Sequence, residues 1–247
     1  MSVAEKLTKI AQNMQAVYDA GKAAGGGDEE YYQGYLDGCD DEHSRFWDAF
    51  QQKGERTHYK YAFSYYGWNS ENFRPKYDII LSGTSANYLF QYTTNLEIDL
   101  AQRMQALGIK FVYNNFTNAA YMFQYSAITR IGELDFSNCT ETYQAFGSAT
   151  KLTTIDKLIV SEKTIFNTPF AGCSLLENLR FEGVIGGSLN IKSSPLLSGE
   201  SVQSAIDHLK DLTGQTTQNL TLHATVGGKL TEEQKAAITA KNWTLVY

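Results

Sequence analysis

The chain has 247 residues, 21 basic and 27 acidic, for a net charge of −6, a length that suits one large or two small domains and a core without disulfides. A hydrophobic share of 43% with 13% aromatics argues against disorder, no apolar run approaches the ~20 residues of a membrane helix, and the acidic balance disfavours nucleic acid, whose phosphates require clustered Lys and Arg. Three cysteines (Cys39, Cys139, Cys173) form no CxxC pair and read as reduced packing residues, but 16 tyrosines, seven of them between Tyr59 and Tyr92, are an excess that needs explaining.

The N-terminus MSVAEKLTKI places Glu5, Lys6 and Lys9 where a signal peptide needs an uninterrupted apolar stretch, so no export signal is expected. Instead, Ser2 followed by Glu5 makes a capping box. Val3, Leu7, Ile10, Met14 and Val17 are spaced 4, 3, 4, 3, the a/d seam of a coiled coil, and Gly21 is a natural stop. About two and a half heptads are too few to stand alone. Two readings stay open: an amphipathic helix packed on its own domain, or a bundle that oligomerises or docks the chain. β-branched residues at d with Leu at a lean toward three or four strands, which makes a trimer the expected assembly. Gly25-Gly26-Gly27 then predicts a hinge between helix and body.

The stretch DEEYYQGYLDGCDDEH (28–43) invites a calcium reading at Asp37, Asp40, Asp41 and Glu42, but it lacks the alternating ligands and central Gly of an EF-hand loop and reads as a solvated linker. Phe46, Trp47 and Phe50 suggest a short amphipathic helix. In YKYAFSYYGW (59–68), Tyr59, Tyr61, Phe63 and Tyr65 alternate to share one face. That face is either an aromatic cap over the body or a recognition surface of Tyr59, Tyr61, Tyr65 and Tyr66, since tyrosines offer stiff amphipathic contact at small entropic cost. Trp47 and Trp68 are expected to be buried.

The middle of the chain repeats. Phe90, Phe123, Phe146 and Phe170 anchor segments separated by 33, 23 and 24 residues. Three residues beyond each anchor comes a small residue (Thr93, Ser126, Ala149, Cys173), then an aliphatic (Leu96, Ile128, Leu152, Leu176), then Ile98, Ile131, Ile155 and Leu179, then Leu100, Leu134, Leu158 and Phe181. The long first interval contains LGIKFVYNNFTN (107–118), which supplies a strand and turn of its own. A period of 23–24 with this pattern predicts an α/β leucine-rich-repeat solenoid with short parallel strands, in which the aromatics pack under the return segments. Beyond it, a strand at 189–191, a helix capped by Ser198 with Val202, Ile206, Leu209 and Leu212 on one face and stopped by Gly214, a strand at 220–222, a helix capped by Thr231 with Gln234 at N3, and a strand at 243–246 read as a β-α-β-α-β cap with parallel pairing. The expected organisation is thus helix 1–21, Gly/acidic linker 22–44, aromatic cap 45–83, repeats 84–188 and C-terminal cap 189–247.

No catalytic or metal residues emerge. His43, His58, His208 and His223 form no ligand cluster, there is no GxSxG, Walker loop or GxGxxG, and acidic residues such as Asp135, Asp156 and Glu177 read as solvated turns. No cofactor is expected.

The F-x-x-C/S-x-L-x-x-I pattern resembles the BspA-type leucine-rich repeats of bacterial and bacteriophage proteins. The flanks RFWDAFQQKGERTHYKYAFSYYGWNSENFRPKYDI (45–79) and 196–247 resemble those of prophage-encoded leucine-rich-repeat proteins of gut Firmicutes. The resemblance implies a non-enzymatic virion structural protein of tail-fibre, baseplate or decoration type, assembled in the bacterial cytoplasm. Its partners would be itself or other virion proteins through the N-terminal helix, and a host-surface protein or glycan, with no nucleic acid and no membrane insertion. The alternative is a bacterial surface adhesin or general protein-interaction module.

Overall fold

A turn that begins and ends in the left-handed region is the unit from which the body is built. In the computed structural model, which describes residues 63, 68–71, 73–74, 78–82 and 86–247, each anchor phenylalanine sits at the centre of such a turn. The residues two before it (Tyr88, Tyr121, Gln144, Thr168) and two after it (Tyr92, Tyr125, Ser148, Gly172) all have φ between 46° and 77°. These turns stack. Tyr88, Phe90 and Tyr92 donate their amides to the carbonyls of Ala120, Met122 and Gln124. Tyr121, Phe123 and Tyr125 donate to Tyr143, Ala145 and Gly147, and Gln144, Phe146 and Ser148 to Asn167, Pro169 and Ala171. Alternate amides are thereby satisfied by the next turn, as in a parallel ladder.

The anchors form a column of rings, all four fully buried. Phe90–Phe123, Phe123–Phe146 and Phe146–Phe170 lie 5.2, 5.6 and 5.3 Å apart with planes within 6° of parallel. Phe63, which alternation groups with Tyr59, Tyr61 and Tyr65 on one face, is instead fully buried. It donates its amide to the Leu89 carbonyl and stacks on Phe90 at 4.9 Å, so the column has a fifth ring. Trp68 and Phe73 pack edge-on against Phe63 and are buried with it.

Each turn leads to a short parallel strand in the later segments. Strands β3 (Arg130–Asp135), β4 (Thr154–Val160) and β5 (Asn178–Gly183) form one sheet in chain order. Its register aligns Ile131 with Ile155 and Leu179, and Leu134 with Leu158 and Phe181, so the apolar positions of successive segments face one core. The first segment departs from the pattern. Leu100, aligned by sequence with those strand positions, starts helix α1 (Leu100–Leu107), because Asp99 accepts the Gln102 amide at 2.7 Å as an N-cap and Gly108 (φ 67°) closes the far end. Only an isolated bridge between Asp99 and Arg130 remains of the expected strand. Strands β1 (Ile79–Ser82) and β2 (Phe111–Asn114) pair in parallel in a separate sheet.

Beyond β5, strands β6 (Leu189–Asn190), β7 (Gln218–Thr221) and β8 (Trp243–Val246) form a third parallel sheet in that order. Helix α2 (Gly199–His208) starts at its Ser198 cap but ends before Gly214. At Leu209 the backbone turns extended to form a parallel bridge with Ile185, whose amide and carbonyl bond His208 and Lys210. Two serines of α2 also close the edge of the second sheet, since the amides of Leu179 and Phe181 donate to Ser201 Oγ and Ser204 Oγ. A four-residue helix α3 (Ala224–Gly227), absent from the sequence reading, precedes α4 (Glu232–Ala240), which carries the expected Thr231/Gln234 capping box. A Cβ at Gly227 would overlap the Tyr247 side chain, so a larger residue there requires that exposed terminal ring to move.

Candidate recognition surface

Val3, Leu7, Ile10, Met14 and Val17 of the expected seam, and Tyr59, Tyr61, Tyr65 and Tyr66 of the expected recognition surface, lie outside the described residues. Phe90, Phe123, Phe146 and Phe170 are brought together, but as a buried column that offers nothing to a ligand. What they position is the side chains on either side of them.

Left-handed backbone costs an L-residue about 1–2 kcal/mol, and glycine escapes that cost. Gly172 takes that route, and at the equivalent positions Tyr92 and Tyr125 do not. Their reward is a second ladder: Tyr92 and Tyr125 stack at 4.9 Å and 9°. Tyr88 and Tyr121 do the same at 4.8 Å and 6°, and Tyr143 meets Tyr121 edge-on at 5.2 Å. Burial, with the neighbouring Tyr88 second, raises the pKa of Tyr121, so its phenol stays neutral. Between the two tyrosine rows runs a row of amides, Gln91 donating to Gln124 and Gln124 to Gln144. Gly147 occupies the next position because a Cβ would press on Gln144, which reaches into the gap. A sequence signal for these rows is the motif Y-x-F-x-Y, which recurs at 61–65, 88–92 and 121–125.

The turn segments are themselves uncharged, with the Glu141 carboxylate, which accepts the Tyr143 amide, at the edge of one of them. Segments 86–96, 119–129, 142–150 and 164–176 contain no Asp, Glu, Lys or Arg. The outer face of the β3–β5 sheet is the opposite, and its charges are matched internally. Arg130 holds Asp156 with two-pronged hydrogen bonds near 3 Å and lies 3.6 Å from Asp99. Lys157 bridges Glu133 and Glu182 at 3.0 and 3.2 Å, and Arg180 bonds Glu200 at 2.6 Å. The hydrogen bonds to Asp156 and Glu133, respectively, are the main cause of the raised pKa values of Arg130 and Lys157. Asp156, read from sequence as a turn residue, is thus a strand residue in a cross-strand ion pair.

Cys139 and Cys173 are buried and reduced, their thiols bonded to the Phe116 and Phe146 carbonyls. Burial raises both pKa values, that of Cys173 to about 12, so neither is a nucleophile at neutral pH. A polar cleft of about 420 Å³ lies between Glu162, Gly186, Lys210, Gln215 and Gln218, with Lys210 and Glu162 paired at 2.8 Å. Among the described residues no His, Cys, Asp and Glu are grouped to hold a metal ion, and no helix is long and apolar enough to cross a membrane. In comparison with known proteins, no family model matches the chain, and no curated protein or solved structure matches it significantly.

Proposed function

We propose that the chain is a non-enzymatic structural protein of a phage or prophage virion, with a BspA-type leucine-rich-repeat solenoid as its host-recognition module. In this reading residues 84–188 are the solenoid, closed by the aromatic segment 45–83 and the C-terminal segment 189–247. The helix of residues 1–21 trimerises the chain or docks it on the particle through Val3, Leu7, Ile10, Met14 and Val17. Tyr59, Tyr61, Tyr65 and Tyr66 contribute to the recognition surface.

The observation that carries the reading is the rung-on-rung continuity of the body: stacked turns joined amide to carbonyl, a column of parallel phenylalanine rings, and strands in matching register. In this reading the stacked rungs present a broad binding face. The virion assignment rests on the sequence resemblance of the repeats and their flanks. Multi-angle light scattering on the full chain tests the assembly: a trimer mass is expected, falling to one chain in Ile10→Asp, which puts a charge at a seam position. A full chain that is already monomeric refutes the N-terminal assembly.

A further inference from the structure

We propose that the open face of Tyr125 is a stacking subsite for a neutral pyranose ring. The inference deepens the recognition reading and rests on it only for the source of the sugar; its residues are distinct from Tyr59, Tyr61, Tyr65 and Tyr66.

The two tyrosine rows end differently. Tyr121 has Tyr88 on one side and Tyr143 edge-on on the other, so that row is closed within the chain. Tyr125 has Tyr92 as its ring partner. The next two turns place Ser148 and Gly172 where further rings would stand, with the same left-handed backbone. The amide of Tyr125 bonds the Gly147 carbonyl, and that of Ser148 bonds the Ala171 carbonyl, so these turns follow at the spacing of the phenylalanine column, 5.6 and 5.3 Å. The row therefore ends in a step one ring deep. Tyr125 forms its wall and is 42% exposed, whereas Tyr88, Tyr92, Tyr121 and Tyr143 are half-buried.

The chemistry around the step selects the occupant. Segments 119–129, 142–150 and 164–176 contain no Lys, Arg, Asp or Glu, and Lys151, which follows Thr150, is paired with Glu97 at 3.6 Å, so the step itself offers a charged ligand group no dedicated counter-charge. The step instead combines an aromatic face with the hydroxyls of half-buried Ser148 and exposed Thr150. A pyranose matches both, packing its C–H face on the phenol ring while its hydroxyl groups bond the rim.

The test uses the full chain and a panel of neutral gluco-, galacto-, manno- and rhamno-oligosaccharides, read by saturation-transfer NMR and titration calorimetry. Two variants act on the step without disturbing the turn. Tyr125→Gly removes the wall at a position where Gly172 shows that the backbone accepts glycine, and Ser148→Tyr fills the step by adding a ring to the row. The expected result is binding of at least one neutral oligosaccharide, weakened about tenfold or more by either variant, with the melting temperature nearly unchanged. No binding by any of the panel, or binding indifferent to both variants, overturns the proposal. So does capture of an aromatic peptide in place of a sugar, lost in the same two variants. Host-cell binding that survives Tyr125→Gly unchanged would leave the recognition reading standing and remove this site from it.

Discussion

Phe146 is the ring whose removal should damage the body most. It is fully buried between Phe123 and Phe170, with Phe136 stacked at 6.0 Å and 17°. Truncating a core phenylalanine to alanine costs about 3–5 kcal/mol. Each stacked pair contributes about 0.5–1.5 kcal/mol beyond area burial, so three pairs place Phe146→Ala at the top of that range. Against a typical total of about 5–15 kcal/mol this is a large fraction. A suitable control is Phe166→Ala, since Phe166 is half-buried and meets Phe181 edge-on at 6.4 Å; it should cost about 1–2 kcal/mol. Urea unfolding with a common m-value measures both. A double-mutant cycle then isolates the column: Phe123→Leu with Phe146→Leu should couple by about 0.5–1.5 kcal/mol, while Phe90→Leu with Phe146→Leu, two rungs apart, should be additive within about 0.5 kcal/mol. A Phe146→Ala loss no larger than that of Phe166→Ala would refute the stacked-column account.

Two further outcomes follow from local geometry. Gly183 has φ 93°, and a Cβ there would overlap the Val160 carbonyl oxygen, so Gly183→Ala should cost more than about 3 kcal/mol, whereas Gly187→Ala, with nothing within 4 Å, should stay within about 0.5 kcal/mol by the same unfolding assay. For Cys173, the folded pKa of about 12 lies above the unfolded value of 9.0 because burial disfavours the thiolate. Its contribution is therefore intact below about pH 9 and is lost as pH rises toward 12, at up to about 1.4 kcal/mol per pH unit. Urea midpoints taken in reductant from pH 8 to 10.5 should fall less steeply in Cys173→Ala than in the native chain; parallel slopes would contradict the buried-thiol assignment.

Where apolar side chains recur within a residue of the same distance from an anchor, sequence sufficed to align the strands. Ile131, Ile155 and Leu179 are neighbours in register because apolar spacing alone decides which face is buried. The same spacing misled at Leu100. There the capping strength of Asp99 and the helix-favouring run Ala101–Leu107 outweigh the repeat, and Gly108 completes a helix signal readable in D-L-A-Q-R-M-Q-A-L-G. Phe63 was hidden by the sequence alternation that groups it with the surrounding tyrosines. The tyrosine rows were hidden for a different reason. Tyrosine is not a left-handed residue by preference, so nothing local announces φ of 55° at Tyr125; the stacked turns impose it. The ion pairs of the sheet face needed the register before their partners could be named. Part of the tyrosine excess now has a place, since five of the 16 tyrosines belong to the two rows beside the phenylalanine column.

The central proposal, that this chain is a virion component that meets the host surface, is tested most directly by immunogold electron microscopy. If a bacterial strain carries the gene within a prophage, that prophage is induced, the released particles are purified, and antibodies to the chain are applied. Gold at a defined position on the particle exterior, at the tail tip, baseplate or capsid surface, is the expected result. Gold on the bacterial envelope with unlabelled particles would contradict it and favour a cell-surface adhesin.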